Sequence, residues 1–232
     1  MKTTRAVCRL LPNSITFVGL MCAFSALVLA IHELLVLSSV CILAGCALDA
    51  VDGAAARRLG VTSAFGLQLD SLVDVVTFGV APSVLVYQHL RHLAFHSLPV
   101  WVVCAGYLIG GVFRLARFNL LPTKTSHTDS VGLTISTSGA VLAFGVLANH
   151  AYDQRLIPVA AFLALMALLT GLMVSRIRYP ALASVLRRRR LSTAVLGVAA
   201  ISAIWLSPQL VGLGLAGGYV TFGLIRAIYE LV

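Results

Sequence analysis

Asp49-Ala-Val-Asp52-Gly53-Ala-Ala-Ala56-Arg57, eight further residues, then Gly66-Leu-Gln-Leu-Asp70-Ser-Leu-Val-Asp74: this stretch decides how the chain is read. It holds half of the chain's eight acidic residues. The aspartates come as pairs spaced i, i+3 and i, i+4, and either spacing puts both members on one helix face. Ionisable groups near bilayer depth persist mainly where they face a polar cavity, a partner or a metal. Four convergent carboxylates repel one another unless cations neutralise them, and hard cations take oxygen ligands. The pattern therefore predicts a divalent-metal site made of Asp49, Asp52, Asp70 and Asp74. Helix caps and interfacial salt bridges are the bland alternative, and the helix dipole would favour Asp70 and Asp74 in a first turn in any case.

Outward from that segment the chain is apolar. Of 232 residues, 59% are hydrophobic and only 11% charged, and the mean hydropathy is +0.99. Soluble domains carry about 25% charged residues, so an all-α polytopic membrane protein is expected, one integral domain over 1–232. The apolar runs predict about eight spans of roughly 20 residues, near 13–31, 34–54, 69–89, 98–118, 132–149, 156–174, 192–206 and 209–229. The run at 192–206 is short for a full crossing. Lys2, Arg5 and Arg9 before the first run resemble the start of a signal peptide. No convincing cleavage site follows, so an uncleaved first helix is expected.

The net charge of +9 reads as topology and attraction to anionic headgroups, not as a nucleic-acid surface. With the N-terminus inside and spans alternating, fifteen of the seventeen Lys and Arg fall on the cytoplasmic side and only Arg91 and Arg155 outside. Both termini are then inside, and the aspartates lie at the cytoplasmic ends of the second and third spans. The Arg187–Arg190 run fits the same rule. Five scattered cysteines without a paired spacing read as small buried hydrophobes. The histidines fall mostly on the outer side, so a metal site at His89, His92 and His96 is not favoured.

Each residue type in the opening stretch has a physical job. The aspartates from two helix ends are suited to holding two divalent ions, the arrangement that clamps a phosphoryl group in an in-line displacement. Gly53 and Ala56 keep side chains small where a ligand or helix approaches, and Gly66 leaves room beside Asp70. Arg57 offers a bidentate fork to a diphosphate.

These positions match the D-x2-D-G-x2-A-R-x8-G-x3-D-x3-D signature, and the chain resembles the CDP-alcohol phosphotransferase family. The resemblance implies transfer of a phosphatidyl group from a CDP-linked lipid to an alcohol with release of CMP. It implies Mg2+ or Mn2+ on the four aspartates, Asp74 as the base for the acceptor hydroxyl, a six-helix core at about 11–180, two added C-terminal helices at about 190–230, and a homodimer. Leu11-Pro12-Asn13-Ser14-Ile15-Thr16 is similar to the family's PN-x2-T, which makes Asn13 and Thr16, with Asp52, Gly53, Ala56, Arg57 and Gly66, the expected CDP-lipid contacts. An ordinary helix start with an early proline is the alternative there.

Phe113-Arg114-Leu115-Ala116-Arg117-Phe118-Asn119, Met173-Val174-Ser175-Arg176-Ile177-Arg178-Tyr179-Pro180 and Phe78-Gly79-Val80-Ala81-Pro82 resemble the bacterial phosphatidylserine synthase branch. That implies CDP-diacylglycerol and L-serine as substrates, a bacterial inner membrane, and Arg114, Arg117 and Asn119 at the serine or lipid phosphate. Gly132-Leu133-Thr134-Ile135-Ser136 departs from the branch, which often has prolines there. Another acceptor (inositol phosphate, glycerol phosphate) and an archaeal ether-lipid donor stay open. A transporter would instead carry midplane carboxylates and broken helices in two matching halves. Neither feature is visible here.

Overall fold

The computed structural model describes residues 2–60, 63–91, 93, 97–120, 129–152, 156–180 and 208–229. Its helices are α1 (Lys2–Ile31), α2 (Leu35–Leu59), α3 (Ala64–Asp74), a π segment (Val75–Val80), α4 (Ala81–Leu90), α5 (Ser97–Leu120), α6 (Ile135–Ala151), α7 (Val159–Val174) and α8 (Pro208–Tyr229). One antiparallel pair joins β1 (Asp129–Val131) to β2 (Arg178–Pro180), with Ser130 opposite Tyr179. The protein is an all-α polytopic membrane protein. Among the described residues, four stretches are long and apolar enough to cross a membrane: Pro12–Ile31, Leu35–Ala56, Ala64–Leu90 and Leu98–Leu120. Shorter apolar helices follow at Ile135–Ala151, Val159–Val174 and Gln209–Phe222. The expected span at 192–206 and the Arg187–Arg190 run lie outside the described residues.

Large apolar side chains face outward along these helices, among them Phe17, Met21 and Phe24 of α1 and Trp101, Ile109 and Phe113 of α5. Exposed apolar faces on this scale mark a lipid-facing surface. The interior is built from Ile42, Leu85, Val86, Tyr107, Leu142, Phe162, Met166 and Leu169, all buried. Small residues bring the helices together. A Cβ on Gly110 would meet Thr170 Cγ2 at 2.7 Å and one on Gly111 would meet Ile135 Cδ1 at 2.6 Å, so α5 lies directly against α7 and α6. Inside the α1–α2 hairpin, Ser38 Oγ donates to Ala26 O at 2.8 Å.

The α1–α2 turn falls where polarity predicted it. Leu34 N donates to Leu29 O and Glu33 N to Ala30 O, the paired bonds of a Schellman stop with Glu33 in the left-handed region at φ 63°. Glu33 also pairs with Arg91 at the end of α4. Nearby, His89 Nε2 pairs with Asn149 Nδ2 at 2.9 Å, and Asn149 Oδ1 accepts from Ile157 N at 2.9 Å. Polar bonds thus tie α1, α4, α6 and the start of α7 together at the end of the bundle away from the aspartates.

Between α3 and α4 the helix does not break; it widens. Ala81 N donates to Val76 O, five residues back, which is π spacing. Pro82 brings no N–H to the carbonyl four residues before it, and that carbonyl, Phe78 O, accepts instead from Tyr107 Oη at 3.0 Å. Tyr107 is wholly buried. Tyr107→Phe should therefore remove a buried hydrogen bond to Phe78 O and lower stability by about 1 kcal/mol. Thermal unfolding in detergent checks this, and an unchanged melting temperature would mean that another donor takes the carbonyl.

Candidate metal and substrate site

The carboxylates converge as the spacing requires. Asp49 comes from α2 and Asp70 and Asp74 from α3. One ligand atom from each lies within 4.8 Å of the other two. The fourth, Asp52, is held differently: Thr16 Oγ1 of α1 donates to its Oδ2 at 2.7 Å and also to Pro12 O at 3.0 Å. All four line one cavity with Thr16, Gly19, Gly45, Thr77 and Phe78. Three half-buried carboxylates this close are a donor set that fits a hard divalent cation, because little but a cation offsets their mutual repulsion.

Local sequence explains why the helices end where they do. Ser63 caps α3, its Oγ accepting from Gly66 N at 3.0 Å. This cap sets the first turn, and Asp70 and Asp74 follow on the face toward α2. A Cβ on Gly66 would stand 3.2 Å from Ser63 Oγ and 3.5 Å from Asn13 Oδ1. Asn13 of α1 is thereby seated beside the start of α3. Gly53 and Ala56 are half-buried on α2 just beyond Asp52. Arg57 follows on α2, its side chain lying outside what the structure describes.

The two arginines of α5 part company. Arg114 is buried and acts electrostatically on Asp74, with its guanidinium carbon 5.6 Å from the centre of the Phe118 ring. Arg117 turns to the C-terminus of α7: Nη1 donates to Val174 O at 2.9 Å, and Nη2 to Ser175 O at 2.9 Å and Val131 O at 3.4 Å. A cation at helix-terminal carbonyls is favourable. Asn119 Nδ2 donates to Ser71 Oγ at 3.0 Å, joining the end of α5 to α3 beside Asp70. The residues expected to meet serine or phosphate thus split, with Arg114 at the aspartates and Arg117 and Asn119 on neighbouring backbone and side chain. Thr134 caps α6 by accepting from Thr137 N at 3.4 Å.

Sequence reasoning passed over Thr77 and Gly45, which line the cavity one turn farther from the helix ends than the aspartates. The i, i+3 spacing from Asp74 to Thr77 and the i, i+4 spacing from Gly45 to Asp49 carried that signal.

The profile of the family described as CDP-alcohol phosphatidyltransferase matches residues 9–174. A Helicobacter pylori protein named CDP-diacylglycerol–serine O-phosphatidyltransferase is 31% identical over 96% of this chain and 93% of its own length. A Bacillus subtilis protein of the same name is 37% identical over 73% of this chain and 89% of its own. One from Methanocaldococcus jannaschii is 39% identical over 57% and 58%.

Proposed function

Because this chain belongs to the CDP-alcohol phosphatidyltransferase family, we propose that it transfers a phosphatidyl group from CDP-diacylglycerol to the hydroxyl of L-serine. The products are phosphatidylserine and CMP. The observation that carries the reading is the convergence of Asp49, Asp70 and Asp74 within 4.8 Å at one end of membrane-length helices, with the buried Arg114 acting on Asp74. The names of the relatives supply the acceptor.

In the reaction the serine hydroxyl oxygen bonds to the phosphorus of the phosphatidyl group. The bond from that phosphorus to the CMP oxygen breaks, and CMP leaves with the electron pair. Asp74 takes the hydroxyl proton as general base. Asp49, Asp52, Asp70 and Asp74 would hold Mg2+ or Mn2+, two ions by expectation, and these when bound offset the charge of the diphosphate. Thr16 orients Asp52 through the hydrogen bond on its Oδ2. Asn13, Thr16, Gly53, Ala56, Arg57 and Gly66 form the side assigned to the CDP-lipid. Arg114 offers its cation to the serine carboxylate or the lipid phosphate, and Arg117 and Asn119 fix the end of α5 from which Arg114 projects.

The bundle is that of an integral membrane protein. We place it in a bacterial inner membrane, as a homodimer, with both termini and the aspartate end in the cytoplasm. There a water-soluble amino acid and a membrane-held lipid meet at headgroup level.

CMP release by the purified protein tests the reading, with CDP-diacylglycerol, Mn2+ or Mg2+, and serine or another alcohol. Release should depend on serine, stop on chelation and return when the metal is restored. Release with a different alcohol alone would keep the chemistry and overturn the serine assignment. No release with any acceptor, from folded protein that binds metal, would favour transport.

A further inference from the structure

Thr77 sits in the π segment, three residues beyond Asp74, and lines the aspartate cavity. It is 2% exposed, and its Oγ1 is buried with no hydrogen-bond partner among the described residues. That is unusual for a hydroxyl on a helix. Ser39, Ser71, Ser83 and Thr170 each donate to the carbonyl four residues back, at 2.7–3.0 Å. The ordinary local solution is therefore available in this bundle and is not used at Thr77. The methyl group is fixed as well: a Cβ on Gly45 would fall 2.7 Å from Thr77 Cγ2, so the absent side chain of α2 is what seats it. A buried hydroxyl left without a partner destabilises a fold. An unpaired polar group that persists beside a cavity calls for an explanation, and a water, an ion or a ligand that completes the pairing is one.

We propose that Thr77 is a contact for the acceptor alcohol, its hydroxyl hydrogen-bonding the polar part of the acceptor at the end of the cavity beyond Asp74. The proposal rests on the transferase reading above and adds a specificity-determining residue to it. The site chemistry favours the acceptor over the donor. Of the residues assigned to the CDP-lipid, Asn13, Arg57 and Gly66 lie toward the helix ends, and Thr16 and Asp52 line the cavity at the level of the aspartates. Thr77 and Gly45 instead lie one turn inward and line the cavity with Phe78.

Thr77→Val keeps the shape and removes the hydroxyl; Thr77→Ser keeps the hydroxyl and removes the methyl. In full-length protein, Thr77→Val should raise the KM for serine about tenfold, the worth of one hydrogen bond. The KM for CDP-diacylglycerol and the metal concentration for half-maximal rate should stay within about twofold. The melting temperature should not fall, because an unpaired buried hydroxyl has been replaced by a methyl group. Thr77→Ser should keep the KM for serine near the wild-type value. An unchanged serine KM in Thr77→Val overturns the proposal, as does an equal rise in the lipid KM or metal requirement. So does a Thr77→Ser variant as impaired as Thr77→Val. If Thr77→Val gives no folded protein, Thr77→Ala carries the same comparison. If the wild type answers only to another alcohol, the serine reading fails, and the same KM comparison on that alcohol decides the role of Thr77.

Discussion

Asp74→Asn should lower the rate of CMP release by a factor on the order of 10²–10⁴ while raising the melting temperature of the metal-free protein. The first effect is what a lost general base costs. It corresponds to about 3–5 kcal/mol in the barrier, at 1.36 kcal/mol per tenfold. The second follows from electrostatics alone. Asp74 faces Asp49, Asp70 and Asp52 as well as Arg114, so three neighbours repel its charge and one attracts it. Neutralising it in a nearly isosteric side chain relieves more repulsion than it removes attraction. The two readouts together separate a functional aspartate from a structural one, since a helix-stabilising residue would lose stability and activity together. A variant that keeps its rate would take the proton acceptor away from Asp74. One that melts lower would show the carboxylate to be a structural element.

The second large effect lies away from the aspartates. Gly132 has φ 78°, a region that costs residues with a side chain roughly 1–2 kcal/mol. A Cβ there would also stand 2.6 Å from Met173 O and 3.2 Å from both Arg117 Nη2 and Ser175 O. Gly132 N donates to Ile177 O at 2.7 Å and Leu133 N to Leu172 O at 3.1 Å, so the turn cannot back away without losing those bonds. Gly132→Ala should lower stability by about 3 kcal/mol or more, strain and steric conflict acting together. Differential melting in detergent reads it out. Because the obstructing atoms include Arg117 Nη2 and Ser175 O, the carbonyl it caps, activity should fall in step with folded yield. A folded variant with wild-type melting would mean that the α7 terminus yields freely.

Much of this was legible in the chain. The paired aspartates indicated which helix faces must meet, and apolar run lengths located the described helices after α1 to within about five residues, while α1 begins at Lys2, well before the expected 13. The boundary at Glu33 was visible because two polar residues interrupt an apolar run. What escaped was whatever depends on partners distant in sequence. Arg114 and Arg117 look equivalent at i, i+3, yet only contact with the α7 terminus directs one of them to backbone carbonyls. Thr77 reads as one more β-branched residue until its hydroxyl is seen to lack the usual local acceptor. The run at 69–89 read as one regular helix, and the π spacing within it is tied to Tyr107 of another helix, whose hydroxyl donates to Phe78 O. The β1–β2 pair, three residues each, is too short to leave a periodic trace.

The widened turn at Val75–Val80 works as a phase shifter. An α-helix advances about 100° per residue, so one surplus residue rotates everything after it by about that angle relative to everything before. Ahead of the turn, α3 buries only Val73 and presents its carboxylates; behind it, α4 buries eight of its ten residues, including Leu85, Val86 and His89. An unbroken helix would have to carry one azimuth through both halves, and a face aimed at the cavity would continue as the face aimed at the core. The surplus residue uncouples the two orientations. The inner half can answer to packing alone, while the outer half keeps Asp70 and Asp74 trained on α2.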